Sequence, residues 1–454
     1  MSSNTSLWFS GAFVALALAS YGTPASALDV TYTKSKLANG LTVILHENHA
    51  LPIVAVNLAY RVGSRFEEKG RTGFAHLFEH LMFMGTERAP TKMFDQWMED
   101  EGAWNNAWTS EDLTDYFDVG PTHALPLLLW LEADRLSSLG RNITQAKLDA
   151  QREVVRNERR QTSENTPYGK VELRLPELLF PQGNPYHHPV IGSHEDLQAA
   201  SVEDVRQFFS HWYAPNNASL VVAGDFEPAA LMSRIEQDFG WIPKGEVPTA
   251  PPVPPVLLTT VVRETIPDDV ALPKIVMAWH SPSHFANGDA ELDLLASVLE
   301  HGKVSRLYTS LVYNKKLAQD VTASQNSHDL GSYFTIEAIA RPGVDLKALE
   351  QGMDAEIARV TSEAVTPEEL LRAKNQFETG FVSRLQSVQA RASMLNLYEV
   401  WTGDPGYADK DLERYRSATA AGILATAKTY LKPNARVILT VVPRAPSGGA
   451  GEGK

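Results

Sequence analysis

The 454-residue chain contains no cysteine. That excludes disulfides, thiolate metal ligands, a thiol nucleophile and a lipidated cysteine at a processing point. No apolar run approaches the roughly 20 residues of a membrane-spanning helix. Positive charge is also scarce: 41 Lys and Arg stand against 55 Asp and Glu, and the formal net charge of −14 argues against non-specific nucleic-acid binding, which needs a basic face. The short apolar run from Leu7 to Ala19 has no Lys or Arg before it. It is followed by Ala25-Ser26-Ala27, an A-x-A-like cleavage point, so residues 1–27 read as an export signal. The expected mature chain begins at Leu28 and is periplasmic or secreted.

What the sequence does have is one concentrated stretch, Gly73-Phe74-Ala75-His76-Leu77-Phe78-Glu79-His80-Leu81-Met82-Phe83-Met84. At about 100° per residue in a helix, His76 and His80 share a face, and Glu79 lies roughly 60° to the side. Two neutral imidazoles suit Zn²⁺, and a catalytic zinc takes one further protein ligand while keeping a position open for water. A bound zinc lowers the pKa of its water to about 7, and Glu79 stands where a base would take the proton as that water attacks a peptide carbonyl. The order His-x-x-Glu-His inverts the more familiar His-Glu-x-x-His and is a zinc-protease pattern in its own right. Phe74, Leu77, Phe78, Leu81, Met82 and Phe83 surround the polar groups. Placing three titratable side chains in such company is costly unless something such as a metal compensates.

Around this helix, Gly40 to Leu45 and Ile53 to Tyr60 read as paired strands. Residues 92–101 read as a second helix, and Gly102 to Thr109 as a half-buried strand. At a sheet edge, the free N–H and C=O groups of that strand would pair with an extended peptide. Leu127 to Leu139, with Pro126 in its first turn, and Ala146 to Arg160 read as further helices. The latter is the first downstream helix to offer carboxylates for a third ligand, and its spacing leaves Glu153 and Glu158 both open. His187-His188 are adjacent and so point apart, which favours loop packing over a second metal site.

Six prolines between Trp241 and Val256 mark a semi-rigid spacer. Tyr213-Ala214-Pro215-Asn216-Asn217 before it and Tyr430-Leu431-Lys432-Pro433-Asn434 near the end form an internal echo, each reading as helix end, turn and buried strand. The expected organisation is therefore an N-terminal metal-binding domain over 28–242, a proline-rich linker over 243–256, a related C-terminal domain over 257–446 without the metal motif, and a disordered Gly-rich tail over 447–454.

These residues together resemble the inverted-motif zinc peptidases that include pitrilysin, insulysin and the mitochondrial processing peptidase, and among them the bacterial members of half-length chain. The likeness covers nearly the whole mature chain. It is carried by Leu37 to Val43, the His76–His80 motif, Asn106-Ala107-Trp108-Thr109-Ser110, Val154-Val155-Arg156-Asn157-Glu158, and Trp212 to Asn217. It implies an α+β fold of two homologous domains, each a mainly antiparallel sheet packed with helices, forming half of a clamshell chamber.

The resemblance also implies one Zn²⁺ per chain with His76, His80 and Glu158 as ligands, Glu79 as base, and Asn106, Ala107 and Trp108 on a substrate-pairing edge strand. The family often has a glutamate behind the third ligand, and this chain has Gln151 there. The family's second half usually supplies an arginine and a tyrosine seven residues apart, where this chain has Val312 and Gln319, with Arg306, Tyr308 and Tyr313 nearby. The implied activity is a zinc endopeptidase acting on oligopeptides or unfolded segments in a dimer. The implied dimer is a heterodimer with a related subunit that lacks the zinc motif and brings the arginine and tyrosine. The alternative is a non-catalytic chamber subunit or peptide-binding scaffold.

Overall fold

A computed structural model of the chain describes residues 30–249 and 252–444. The stretches read as an export signal and as a disordered tail lie outside the described residues, as do positions 250 and 251 of the proline-rich stretch. Two sheets organise the molecule. The first is built from β1 (Thr33–Lys36), β2 (Thr42–Glu47), β3 (Ile53–Tyr60), β4 (Trp104–Thr109), β5 (Thr114–Pro121) and β6 (Ala218–Gly224), in the spatial order β1-β2-β6-β3-β5-β4. Helices α1 (Phe74–Leu81) and α2 (Met93–Asp100) connect β3 to β4. Then α3 (Leu125–Asn142), α4 (Gln145–Arg159), α5 (Lys170–Leu179), α6 (His194–Ala199) and α7 (Val202–Trp212) connect β5 to β6, and α8 (Pro228–Phe239) follows.

The second sheet repeats the plan with β7 (Val262–Asp268), β8 (Lys274–Ser281), β9 (Ala318–Asn326), β10 (Ser332–Ala340) and β11 (Val437–Pro443), ordered β7-β11-β8-β10-β9. Its helices are α9 (Asp289–Glu300) between β8 and β9, and α10 (Leu346–Val360), α11 (Pro367–Arg384), α12 (Val388–Thr402), α13 (Ala408–Ser417) and α14 (Ala420–Tyr430) between β10 and β11. The echo in the sequence marks the same place in both sheets. β6 follows α7 and runs parallel to β2 and antiparallel to β3; β11 follows α14 and runs parallel to β7 and antiparallel to β8. The other pairings are antiparallel.

The central strands are apolar on both faces because both faces are covered. β6 (ASLVVAG) is buried throughout, as expected of a strand with helices above and below. One face of the first sheet packs Val43, Val56, Leu58 and Leu220 against Leu77, Phe78, Leu128 and Ile235 of the first half's own helices. The other face is covered from far along the chain: Ile44, Ala55, Val221 and Ala223 meet Val388, Ala392 and Leu395 of α12. The second sheet is covered reciprocally, with Val276, Ala278, Val437 and Leu439 against Val171, Leu175 and Leu179 of α5. Each half thus lends one helix to the outer face of the other sheet. The exchange draws the two sheets together and places the α4–α5 connection, with its π-helical turn at Arg160–Glu164, beside the second sheet. Among the described residues no helix is long and apolar enough to cross a membrane.

Candidate metal centre

α1 starts at Gly73, whose φ of +88° is left-handed. A Cβ there would come within 2.7 Å of the Ile191 carbonyl oxygen, so both backbone conformation and space require glycine. Gly73 offers no capping side chain. Glu67 supplies one instead: its carboxylate accepts from the Gly73 N–H (2.8 Å) and the Ala75 N–H (2.7 Å). Burial pushes the Glu67 carboxyl well above its ordinary value, and those backbone donors pull it back. Thr72 is tied to Asp196 through its N–H and hydroxyl. Phe74, Ala75, Leu77, Phe78 and Leu81 are buried, which leaves His76, Glu79 and His80 on the remaining side, facing α4 and β4.

α4 is capped by Thr144, whose hydroxyl accepts from the Lys147 N–H. It is held by Arg152, which donates to the carbonyls of Leu197 (2.8 Å) and Ala200 (2.6 Å). Glu158 lies five positions, about 140°, round from Glu153. The two carboxylates therefore diverge. Glu153 is exposed and pairs with Arg156 at 2.7 Å. Glu158 sits against both histidines, with Oε2 3.1 Å from His80 Nε2 and Oε1 3.7 Å from His76 Nε2. One donor atom from each of His76, His80 and Glu158 lies within 4.8 Å of the others, and among the described residues this is the one such group of metal-ligating side chains.

The electrostatics fit a divalent cation. Burial, with His80 adding to it, lowers the His76 pKa to about 4, so this imidazole is neutral and can offer a lone pair at pH 7. The hydrogen bond from His80 is the main cause that lowers the Glu158 carboxyl. His76 Nδ1 is buried with no hydrogen-bond partner among the described residues; no carboxylate or carbonyl orients the ring through that nitrogen, as metal-binding histidines usually require. The donor set is nitrogen, nitrogen and oxygen on one side only, as zinc with an open position needs.

Beside these three, burial raises the Glu79 carboxyl, and a hydrogen bond from Thr109 opposes that. The Thr109 hydroxyl donates to Glu79 Oε2 at 2.6 Å. Thr109 ends β4, the terminal strand of the first sheet, which among the described residues pairs only with β5. Asn106 Oδ1 accepts from the Ala107 N–H at 2.9 Å, and Trp108 hydrogen-bonds the buried Asp115. A cleft of about 820 Å³ joins His76, Glu79, His80, Glu158 and residues 106–109 to Ser324, Asn326, Tyr333, Thr335 and Glu337 of the second sheet.

The structure therefore brings together His76, Glu79, His80, Glu158, Asn106, Ala107 and Trp108. Gln151 points elsewhere, its amide 2.7 Å from Met84 Sδ. His187 and His188 pack in their loop, with His187 Nδ1 2.7 Å from the Phe180 carbonyl. Val312 is buried in the second core and Gln319 is exposed on β9. Arg306 is engaged by Glu369 (2.6 Å) and Tyr313 is exposed. None of these, nor Tyr308, lines the cleft. Sequence reasoning missed Thr109 as the partner of Glu79, although it shares a strand face with Ala107 by the period of two. It also missed Glu67 as a cap, and the second-sheet wall, for which the chain carries no local signal.

Comparison with known proteins bears on this geometry. Residues 42–190 match the family model described as insulinase (peptidase family M16), and residues 199–377 match the model described as the M16 inactive domain. The chain is 28% identical over 403 residues to zinc protease PqqE of Helicobacter pylori, covering 87% of this chain and 89% of that one. Its fold superposes on the crystal structure of a protease from Helicobacter pylori with a TM-score of 0.85 and 26% identity, covering 91% of this chain and all of the other (100%). The first half of the periplasmic protease PqqL from Escherichia coli shares the fold, with a TM-score of 0.73 at 20% identity and coverage of 90% and 92%.

Proposed function

The chain belongs to the insulinase (M16) peptidase family, in its bacterial half-length branch, and from that premise we propose that it is an exported zinc-dependent endopeptidase of oligopeptides or unfolded segments. The observation that carries this reading is the meeting of His76, His80 and Glu158, from two helices, with Glu79 beside them and the free edge of β4 alongside. Zinc, when bound, supplies an electrophile for the scissile carbonyl and acidifies water. His76, His80 and Glu158 hold it; Glu79 takes the proton from the attacking water and returns it to the leaving amine. Asn106, Ala107 and Trp108 pair an extended peptide along β4, which fixes its carbonyl relative to Glu79. The second-sheet residues Tyr333 and Glu337 line the opposite wall of the cleft. The working form is a periplasmic or secreted dimer. With Val312 and Gln319 where family members bring arginine and tyrosine, a related second chain supplies those groups.

The test is hydrolysis of a quenched oligopeptide library by the zinc-loaded chain, with and without chelator, beside a mass determination of the assembly. Chelator-sensitive cleavage is expected, from the chain alone or after a second chain is added, and Glu79→Gln is expected to keep zinc while losing about 10²–10⁴-fold in turnover. Full turnover by Glu79→Gln would overturn the assignment of the base. A second reading, a non-catalytic chamber subunit, draws on the match of 199–377 to an inactive domain. It is favoured if the chain binds peptide and zinc but no assembly containing it cleaves.

A further inference from the structure

The bond between Thr109 and Glu79 joins two parts of the proposed machinery that are 30 positions apart in the chain. We infer that Thr109 is a positioning residue for the base, which deepens the proposed peptidase reading and rests on it. The hydroxyl donates to Glu79 Oε2 at 2.6 Å, a charge-assisted bond. It occupies that oxygen and leaves Oε1 as the one available to a proton. Glu79 is a long, flexible side chain on α1, flanked by two histidines. No other side chain among the described residues hydrogen-bonds to it, so one hydroxyl sets its rotamer.

That hydroxyl is well placed to do so. Thr109 is β-branched and restricted at χ1, and its backbone is the last register pair of the ladder, opposite Thr114. Thr114 in turn donates to the Val62 carbonyl at 2.9 Å, so the strand end is anchored. The same strand offers its free edge to a peptide. The residue that ends the peptide-pairing strand therefore also aims the base, and the carbonyl brought by the strand and the carboxylate that serves it share one rigid reference. Serine would keep the donor, whereas valine would keep the shape and lose it.

A merely structural hydroxyl, satisfying a half-buried carboxylate, would matter to folding and not to turnover. The experiment separates the two with the full zinc-loaded chain, in whatever assembly proves active. Thr109→Val is expected to keep its zinc stoichiometry, to leave KM within about twofold and to lower kcat about 10- to 100-fold. Thr109→Ser is expected to recover kcat to within about threefold of the parent. In crystals of the metal-free protein, Glu79 should hold one rotamer in the parent and in Thr109→Ser and leave it in Thr109→Val. That readout requires no turnover. Thr109→Ala stands in if Thr109→Val does not fold.

An unchanged kcat, or an unchanged Glu79 rotamer in Thr109→Val, would overturn the inference, as would a fall in kcat that serine does not rescue. The two levels fail differently. Zinc-loaded assemblies that cleave no peptide sink the proposed activity and turnover surviving Glu79→Gln sinks the assignment of the base, whereas an inactive Glu79→Gln beside a fully active Thr109→Val sinks only the role of Thr109.

Discussion

α1 and α9 hold the same place in the two sheets, each following the strand flanked by β6 and β5 or by β11 and β10, and each beginning at a left-handed glycine, Gly73 (φ +88°) or Gly288 (φ +100°). Counted from that glycine, His76, Glu79 and His80 correspond to Glu291, Leu294 and Leu295. Counted from the capping threonines of α4 and α11, Glu158 corresponds to Gly380. The first copy keeps its polar groups half-open over a cleft. The second closes the space with Leu294 and Leu295, 1% and 0% exposed, and leaves no side chain at all at Gly380. One backbone plan thus serves as a site or as packing, depending on four side chains. The site copy forgoes apolar burial where the other copy gains it, the usual conflict between function and stability.

The comparison can be broken at its polar end first. Glu158→Gln should lower zinc affinity by more than about 100-fold, since removing a direct ligand costs at least as much as removing an outer one. Gly380→Glu should create no affinity at all. Competition against a chromophoric chelator reads both. Next in size is the exchange of buried leucine for histidine. Leu295→His should cost about 2–5 kcal/mol in urea unfolding, because it removes buried methyls and buries an unpaired ring. His80→Leu in the metal-free protein should be neutral or stabilising.

The two borrowed helices differ in a similar way. α5 meets the second sheet through apolar side chains and through Lys170 and Arg174, which pair with Asp268 and Glu264 of β7, whereas α12 brings the fully buried, uncharged Asn396, which donates to the Ser219 carbonyl at 2.9 Å and to Asn57. Asn57 in turn donates to both oxygens of Asp115 (2.9 and 3.0 Å). Burial raises Asp115 to about 7, against lowering by Asn57 and Trp108. Between its unfolded value near 4 and about 7, the folded state therefore holds a proton that the unfolded state has released, and stability falls as pH rises through that window. Asp115→Asn should remove this contribution. Its stability relative to the parent should improve between pH 5 and 7 by at most about 3 kcal/mol, as read by paired thermal melts. A gap that does not change with pH would show that Asp115 stays ionised throughout.

The smallest effect sharpens the capping glycines. Gly73→Ala and Gly288→Ala each place a Cβ in the left-handed region, at about 1–2 kcal/mol. Gly73→Ala should be the worse of the two, because its Cβ meets the Ile191 carbonyl oxygen at 2.7 Å, whereas at Gly288 the nearest atom is a Thr426 methyl at 3.0 Å, on a side chain that can turn.

Most of the candidate site was legible because its signals are local. Four-residue spacing puts His76 and His80 on one helical face whatever surrounds the helix, and apolar neighbours bury its other side. The strand of Asn106 and Ala107 read as half-buried for the same reason of periodicity, and the paired Tyr-Ala-Pro-Asn and Tyr-Leu-Lys-Pro-Asn echoes announced two sheets of one plan. Glu153 and Glu158 were not separable by spacing alone. The geometric choice between them depends on how α4 is rotated, which Arg152 sets through the carbonyls of Leu197 and Ala200.

By itself the sequence determined the helices, the strands, their repetition and the chemistry concentrated between Gly73 and Met84, because hydrophobic period and side-chain type act over one or two turns of chain. Only the tertiary structure decided which sheet each helix covers, that Glu67 caps α1 from outside it, that Thr109 reaches Glu79, and that Tyr333 and Glu337 face the zinc-type cluster. An amphipathic stripe states that a surface must be buried but not against what. A hydrogen bond between residues 30 apart exists only once two elements have been packed at a fixed distance by contacts that neither of them encodes alone.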